Sequence, residues 1–149
     1  LGLLFGGFPP RGSVVVGAVV VGLLQVAGLL DDDIDLLTTT AELLADIGYK
    51  VKGFADPESA LEFAIGQTFS VGLFDFRLGS LKNGLDVVET LQSMGSKAEF
   101  VMVTADVERS TQMRAMGLKV FEYMRKPVQP EELLMTVERA IQQAQLKAA

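Results

Sequence analysis

The sequence predicts an α/β fold in which five parallel strands form one sheet with helices on both faces. From Gln25 onward, short apolar runs alternate with longer segments of helical periodicity. One run, "SVGLFD" at 70–75, is continuously apolar from Val71 to Phe74, as expected of a strand covered on both sides. The 149 residues suffice for one domain with a proper core, and 49% hydrophobic against 21% charged residues excludes a disordered chain.

The strands are predicted from short runs that are rich in apolar residues and bounded by turn residues. In chain order they are "QVAGLL" (25–30), "YKVKGF" (49–54), "SVGLFD" (70–75), "EFVMVT" (99–104) and "KVFEYM" (119–124). Because a helical segment separates each pair of consecutive strands, we expect right-handed crossovers and a parallel sheet.

The helices are predicted from apolar residues at helical spacing and from their end signals. In chain order they are 34–47, 56–66, 85–94, 107–116 and a last helix from Pro130. Asp56 and Pro57 form an N-cap and first helical position, the places these residue types prefer. Gly48, Gly66 and Gly117 follow the last periodic residues, so each is expected to end a helix.

Composition excludes several kinds of chemistry. The chain has no cysteine, which removes disulfides and thiolate metal sites, and no histidine, which removes histidine-based nucleophilic catalysis and histidine-bound zinc. The formal charge of −6 argues against broad contact with nucleic acid backbones. Chemistry must therefore depend on carboxylates, hydroxyls and lysine.

Residues 1–30 differ in composition from the rest of the chain, since they are almost entirely apolar. We divide the chain into an apolar N-terminal extension (1–24), a domain (25–145) and a short tail (146–149). Up to residue 30 the only charge is Arg11, and "VVVGAVVVG" is rich in β-branched residues, which favours an extra strand or a loosely attached extension. A membrane span or targeting segment is the alternative, because the run 13–30 is long enough and apolar enough to cross a bilayer.

Polar residues follow four of the predicted strands. Asp31–Asp33 follow the first, Asp75 ends the third, Thr104 ends the fourth and Lys126 follows the fifth. Ligands of parallel sheets collect at the carboxyl ends of the strands, so these residues are expected to meet. Carboxylates suit Mg²⁺, a carboxylate can also accept a phosphoryl group, and an ammonium and a hydroxyl can stabilise the transferred oxygens. The pattern favours a phosphoryl switch with Asp75 as acceptor.

The order "LLDDD…LFDFRLG…VMVTA…YMRKPVQPEEL" resembles the receiver domain of two-component response regulators, over about Gln25 to Gln145. The resemblance implies a flavodoxin-like fold with strand order 2-1-3-4-5. It also implies Mg²⁺ bound by Asp31, Asp32, Asp75 and the backbone carbonyl of Arg77. Asp75 would be phosphorylated, Thr104 and Lys126 would contact the phosphoryl group, and Tyr123 would be the switch aromatic that follows Thr104.

The resemblance also implies partners. The phosphoryl donor would be a sensor histidine kinase or a histidine phosphotransfer protein, or a small donor such as acetyl phosphate. Since only "QLKAA" follows the last helix, we expect a protein partner for the output and no contact with nucleic acid. We expect the receiver to lie in the cytoplasm without membrane contact. The resemblance is also compatible with a homodimer. The loop motifs are most similar to receivers of hybrid sensor kinases.

Two other functions remain open on the sequence alone. "LLDDDID" contains Asp31-x-Asp33, the pattern of haloacid-dehalogenase-like phosphatases, although "DFRL" and "RKP" are then unexplained. An interaction module that no longer becomes phosphorylated is the second. If the chain is a phosphatase, we expect an enzyme. If it is a receiver, we expect no enzyme and only self-phosphorylation from a donor and self-dephosphorylation. The segment from Gly117 to Lys126 is longer than the family pattern, so a departure is expected near the fifth strand.

Overall fold

The computed structural model describes residues 13–16, 32–53, 57–66, 68–76, 82–105 and 108–148. The strands are β1 (Ser13–Val16), β2 (Lys50–Gly53), β3 (Val71–Asp75), β4 (Glu99–Thr104) and β5 (Glu122–Arg125). The helices are α1 (Asp32–Ile47), α2 (Pro57–Gly66), α3 (Gly84–Ser93), α4 (Arg109–Gly117) and α5 (Pro130–Ala148). The strands form one parallel sheet in the order β2-β1-β3-β4-β5, so the predicted fold class is confirmed and four of the five predicted strands take their expected places.

The strand between β2 and β3 comes from a different segment than expected. Its residues are Ser13–Val16, and Val15 pairs with Lys52 on one side and Gly72 on the other. The sequence assigned this place to 25–30, which lies outside the described residues, and placed Ser13–Val16 in the extension. Three consecutive valines form a central strand well because β-branched side chains suit a pleated sheet. The domain boundary at residue 25 stays a prediction.

The core lies on both faces of the sheet, because side chains alternate along each strand. Leu73 and Val101 belong to the cluster under α1 and α5, whereas Phe74 and Phe100 belong to the cluster under α2, α3 and α4. The rings of Phe74 and Phe100 stack with centroids 6.0 Å apart. A Cβ on Gly72 would stand 2.8 Å from the Phe100 ring, so this strand position requires glycine for packing.

Three helices end in the same way. The residue after the C-cap has a positive φ in each, at Gly48 (115°), Gly95 (94°) and Lys119 (59°). Each motif also has a backbone hydrogen bond that spans the helix end: Tyr49 N–H to Leu44 O, Ser96 N–H to Leu91 O, and Val120 N–H to Ala115 O. This is the Schellman arrangement, which satisfies carbonyls of the last helical turn.

The ending of α4 corrects two expectations. Gly117 was expected to stop the helix, but it is the last residue of α4 and Lys119 adopts the left-handed conformation instead. The motif occupies 118–120, and the N–H of Phe121 donates to Phe100 O at 2.7 Å. β5 therefore begins at Glu122 and not at residue 119, which accounts for the longer segment before Lys126.

Replacing Lys119 by glycine is expected to stabilise the domain by about 0.5–1 kcal/mol. A side chain in the left-handed region costs about 1–2 kcal/mol, and the greater freedom of glycine in the unfolded chain offsets part of the gain. Urea denaturation should show a higher midpoint at an unchanged slope. The matched variant Gly95→Lys should lower the midpoint, and equal midpoints for all three proteins would contradict this explanation.

Among the described residues, no helix is both long and apolar enough to cross a membrane. The membrane and targeting alternatives concerned residues 1–30, of which the structure describes only 13–16, and these form a strand.

Candidate functional site

The carboxyl ends of β3, β4 and β5 bring the predicted polar residues to one edge of the sheet. Asp75 is the last residue of β3 and pairs with Val103, so Thr104 stands one residue further along β4. Thr104 pairs with Arg125, and the N–H of Lys126 donates to the carbonyl oxygen of Thr104 at 2.9 Å. The register of three strands therefore places Asp75, Thr104 and Lys126 next to one another.

Asp75 and Lys126 form a direct ion pair. The Lys126 Nζ donates to Asp75 Oδ2 at 2.6 Å, and each side chain is only 9% exposed. Burial makes a lone charge expensive, so the two charges stabilise each other in this position. A buried carboxylate with an adjacent ammonium can receive an anionic group, because the ammonium compensates the added negative charge. The peptide bond that follows, Lys126–Pro127, is cis.

Thr104 and Tyr123 lie on the same face of the sheet. Tyr123 pairs with Met102, and residues two apart on one strand point to the same side, so Tyr123 and Thr104 are diagonal neighbours. Thr104 is 1% exposed, whereas Tyr123 is partly buried against the cluster that contains Phe74 and Met102. A movement of Thr104 toward Asp75 would therefore change the space beside the Tyr123 ring.

The remaining predicted residues fall at the limits of the described chain. α1 leads into the start of β2, so its first residue, Asp32, lies at the same sheet edge as Asp75. Asp31 and Arg77 lie outside the described residues, as does the side chain of Asp32. Within the described part of the chain no group of three or more acidic side chains could hold a metal ion. The metal ligand set stays a prediction.

Gly84, at the start of α3, packs directly against the acceptor strand. Its N–H donates to the carbonyl oxygen of Phe76 at 2.8 Å. A Cβ at this position would stand 2.5 Å from the backbone oxygen of Asp75 and 2.7 Å from Met102 Cε. The predicted helix began at residue 85, so no role was predicted for Gly84. Glycine is required here because the backbones of α3 and β3 approach each other closely, and no local sequence pattern predicts such a tertiary contact.

Replacing Gly84 by alanine is therefore expected to destabilise the domain by about 1–3 kcal/mol, the usual effect of forcing atoms into a packed site. The Met102 side chain can change its rotamer, but the Asp75 carbonyl is backbone, so relief of the clash requires the end of β3 or the start of α3 to shift. Thermal or urea unfolding measures the change. Gly66→Ala is the matched control, since a Cβ added there would have no neighbour within 4 Å and helical alanine is favoured. Equal stability of both variants would contradict the assigned contact.

A polar cluster joins the start of α3 to α4. Asn83 and Asp86 form a capping box, in which Asn83 N–H donates to Asp86 Oδ2 at 2.8 Å and Asp86 N–H donates to Asn83 Oδ1 at 2.9 Å. Arg114 on α4 donates to Asp86 Oδ1 at 2.8 Å and to Glu89 Oε1 at 2.7 Å. Gln92 Nε2 donates to the carbonyl oxygen of Leu118 at 2.7 Å. We refer to Asp86, Glu89, Gln92, Arg114 and Leu118 as the α3–α4 clamp.

The electrostatics of the clamp favour its charged form. Partial burial by itself would raise the pKa of Asp86, but the Asn83 N–H and the Arg114 guanidinium together hold the pKa below its ordinary value. Burial likewise works against the Arg114 charge, and the bonds to Glu89 and Asp86 raise the pKa of Arg114 in spite of it. The sequence did not identify this cluster, although Asn83-x-x-Asp86 is a readable capping pattern.

The chain is similar in sequence to transcriptional regulatory proteins of bacteria. The chain is 31% identical over 120 residues to the alginate biosynthesis transcriptional regulatory protein AlgB of Pseudomonas aeruginosa, covering 80% of this chain and 26% of AlgB. It is 26% identical to the phosphoglycerate transport system transcriptional regulatory protein PgtA of Salmonella typhimurium, covering 77% of this chain and 28% of PgtA. The chain thus spans about a quarter of the length of each of these relatives.

Solved structures share the fold. A CheY-like response regulator receiver domain protein from Methanospirillum hungatei superimposes with a TM-score of 0.72 at 21% identity, covering 91% of this chain and 97% of that one. The receiver domain of a LuxO repressor protein from Vibrio parahaemolyticus gives a TM-score of 0.74 at 15% identity, covering 93% and 95%. Identities at this level support the fold and not a particular activity.

The family described as the response regulator receiver domain matches residues 28–138. The match begins after β1 and includes Asp31, Asp75, Thr104 and Lys126. It favours the receiver over the phosphatase that Asp31-x-Asp33 left open. The fold, the Asp75–Lys126 pair at the carboxyl edge and this match agree: the chain belongs to the receiver domain family of two-component response regulators, which are phosphoacceptor signalling switches.

Proposed function

We propose that Asp75 is the phosphoacceptor and that Lys126 and Thr104 bind the oxygens of the transferred group. The observation that carries this assignment is the buried ion pair of Asp75 and Lys126 at the carboxyl edge, one strand position from Thr104. A carboxylate oxygen of Asp75 attacks the phosphorus, and the bond from phosphorus to the donor nitrogen or oxygen breaks with its electron pair moving to the donor. The product is an acyl phosphate.

Lys126 and Thr104 serve the reaction by position. The Lys126 ammonium already lies 2.6 Å from the acceptor carboxylate, so it can follow the negative charge onto the phosphoryl oxygens. Thr104 can donate a hydrogen bond to another oxygen, and Tyr123 on the same face then responds to its movement. The switch is thus a local charge change that biases a two-state element.

Mg²⁺ fits the chemistry of the donor set. Asp75, Asp31, Asp32 and the carbonyl of Arg77 are hard oxygen ligands, and the helix start at Asp32 lies at the edge where Asp75 ends β3. Bound there, the ion would supply positive charge that, together with the Lys126 ammonium, neutralises the phosphoryl oxygens. The residues proposed to hold it are those four.

The proposed donor is a sensor histidine kinase or histidine phosphotransfer protein, since the chain itself has no histidine. The proposed location is the cytoplasm. The relatives named above are transcriptional regulators, so the expectation of a protein output without nucleic acid contact stays a prediction. The same holds for attachment to a hybrid kinase and for a homodimer.

Incubation with Mg²⁺ and acetyl phosphate tests the proposal. Intact mass spectrometry should show one added phosphoryl group, which is absent in Asp75→Asn and after chelation of the metal. Slow loss of the group, without turnover of other phosphate esters, is expected of a switch and not of a phosphatase. If the folded wild-type protein binds Mg²⁺ and remains unmodified, the interaction module is the better explanation.

A further inference from the structure

Helix α4 is weakly anchored to the hydrophobic core. Its buried residues are Thr111 and Ala115, both of which have small side chains. Two of its larger apolar side chains face solvent, Met113 at 60% and Met116 at 73% exposure. Since stability from burial scales with the apolar area removed from water, packing alone holds this helix less firmly than it holds α3, which buries Leu85, Val87, Val88 and Leu91.

The α3–α4 clamp supplies much of the remaining attachment. Arg114 joins one side of α4 to two carboxylates of α3, and Gln92 binds the carbonyl of Leu118 at the C-terminal end of α4. The Arg114 side chain is 35% exposed, that of Asp86 34% and that of Glu89 62%, so solvent weakens the Glu89 pair more than the Asp86 pair.

The clamp continues toward the acceptor strand through a single carboxylate. One oxygen of Asp86 binds Arg114, and the other accepts the N–H of Asn83. The next residue, Gly84, donates to the carbonyl of Phe76 and lies against the backbone oxygen of Asp75. A continuous set of contacts thus runs from α4 to the residue next to the acceptor.

We propose that Asp86 and Arg114 are positioning residues that couple the placement of helix α4 to the backbone around Asp75. A shift of α4 pulls on the Asp86 carboxylate, and the capping box transmits this to Asn83, Gly84 and the end of β3. By reciprocity, a change at Asp75 alters the free energy with which α4 is held. The consequence for phosphorylation rests on the proposed function, whereas the coupling itself does not.

Amide hydrogen exchange, measured by NMR without any phosphodonor, tests the coupling. The reporter is the Gly84 amide, which bonds to Phe76 O and belongs to neither Arg114 nor α4. Arg114→Met keeps the aliphatic stem and removes the donors, and it should speed exchange at Gly84 and along α4 by about three- to tenfold. The matched control Arg109→Met changes an exposed arginine of the same helix and should leave Gly84 unchanged.

Two further comparisons separate coupling from general destabilisation. The Val137 amide in α5 should be unaffected by Arg114→Met, and Arg114→Lys should restore part of the Gly84 protection because it keeps the charge. Faster exchange of α4 with an unchanged Gly84 rate would overturn the proposal, as would an equal increase at Gly84 and Val137. If Arg114→Met does not fold, Arg114→Gln removes the same charge with a polar side chain, and a Gly84 rate unchanged in that variant would also overturn it.

With a phosphodonor, the same variants report on the switch. Arg114→Met should change the rate constant for phosphorylation by acetyl phosphate while Arg109→Met does not. A wild-type protein that is not phosphorylated would refute the phosphoacceptor assignment but leave the exchange result intact. Failure of the proposed function can therefore be distinguished from failure of the coupling.

Discussion

Lys126→Met is expected to slow phosphorylation of Asp75 by about two to three orders of magnitude, which is the usual effect of removing one preorganised donor from a transition state. The ammonium lies 2.6 Å from the acceptor oxygen and is 9% exposed, so water cannot easily take its place. Methionine preserves most of the side-chain volume and removes the charge. The measurement is the rate of phosphoryl incorporation from acetyl phosphate at saturating Mg²⁺, followed by mass.

The controls for this result distinguish charge from folding. Lys97→Met removes an exposed lysine just before β4, at the opposite edge of the sheet, and should react at the wild-type rate. Mg²⁺ affinity should persist in Lys126→Met, because an ammonium is not a metal ligand. Removing one partner of a buried pair also leaves Asp75 uncompensated, so stability should fall and recover when Asp75→Asn is added. A wild-type rate in Lys126→Met would contradict the role of Lys126.

Val15→Pro is expected to prevent the sheet from forming. Val15 lies in the middle of β1, which pairs with β2 on one side and β3 on the other. Whichever neighbour its N–H faces, proline removes a ladder hydrogen bond, and its ring is tolerated only at strand edges, starts and bulges. The carbonyl left without its partner costs about 1–3 kcal/mol and the ring clash adds to this, a large share of the stability of a domain of this size. Circular dichroism and urea unfolding measure it.

A second proline variant separates the two candidate strands. The structure places Ser13–Val16 between β2 and β3, so Val15→Pro is expected to cost more stability than Val26→Pro. Sequence periodicity predicted residues 25–30 for that place, and they run directly into Asp31. Unfolding of Val26→Pro together with normal folding of Val15→Pro would contradict the structural assignment. It would place Asp31 and Asp32 directly at the end of a central strand.

The comparison of Ser13–Val16 with residues 25–30 shows where sequence reasoning reaches its limit. Periodicity predicted five parallel strands, because apolar runs and helical patterns alternate clearly, and the family resemblance implied their order. It could not decide between two neighbouring segments that are both rich in apolar residues, since either can fill a central strand. At α4 the limit is different, because Lys119 adopts a conformation that the sequence rule reserves for glycine.

Part of the candidate site could be predicted from the sequence because its residues lie at the ends of consecutive strands. Asp75, Thr104 and Lys126 follow consecutive strands, and the parallel topology alone brings them to one edge, as the Asp75–Lys126 bond shows. Gly84 and Arg114 could not be predicted in this way. Their contacts, with the Asp75 carbonyl and with Asp86, join segments whose packing no local pattern specifies.

The most direct test of the phosphoacceptor assignment is a crystal structure of the protein with Mg²⁺ and beryllofluoride, a stand-in for the phosphoryl group. We predict one beryllofluoride bonded to an Asp75 carboxylate oxygen, with Lys126 Nζ and Thr104 Oγ1 within hydrogen-bond distance of its fluorides and Mg²⁺ on the opposite side. Fluorine NMR should show the same bound signal in solution and its loss in Asp75→Asn. Beryllofluoride bound equally well by Asp75→Asn, or located away from Lys126, would contradict the assignment.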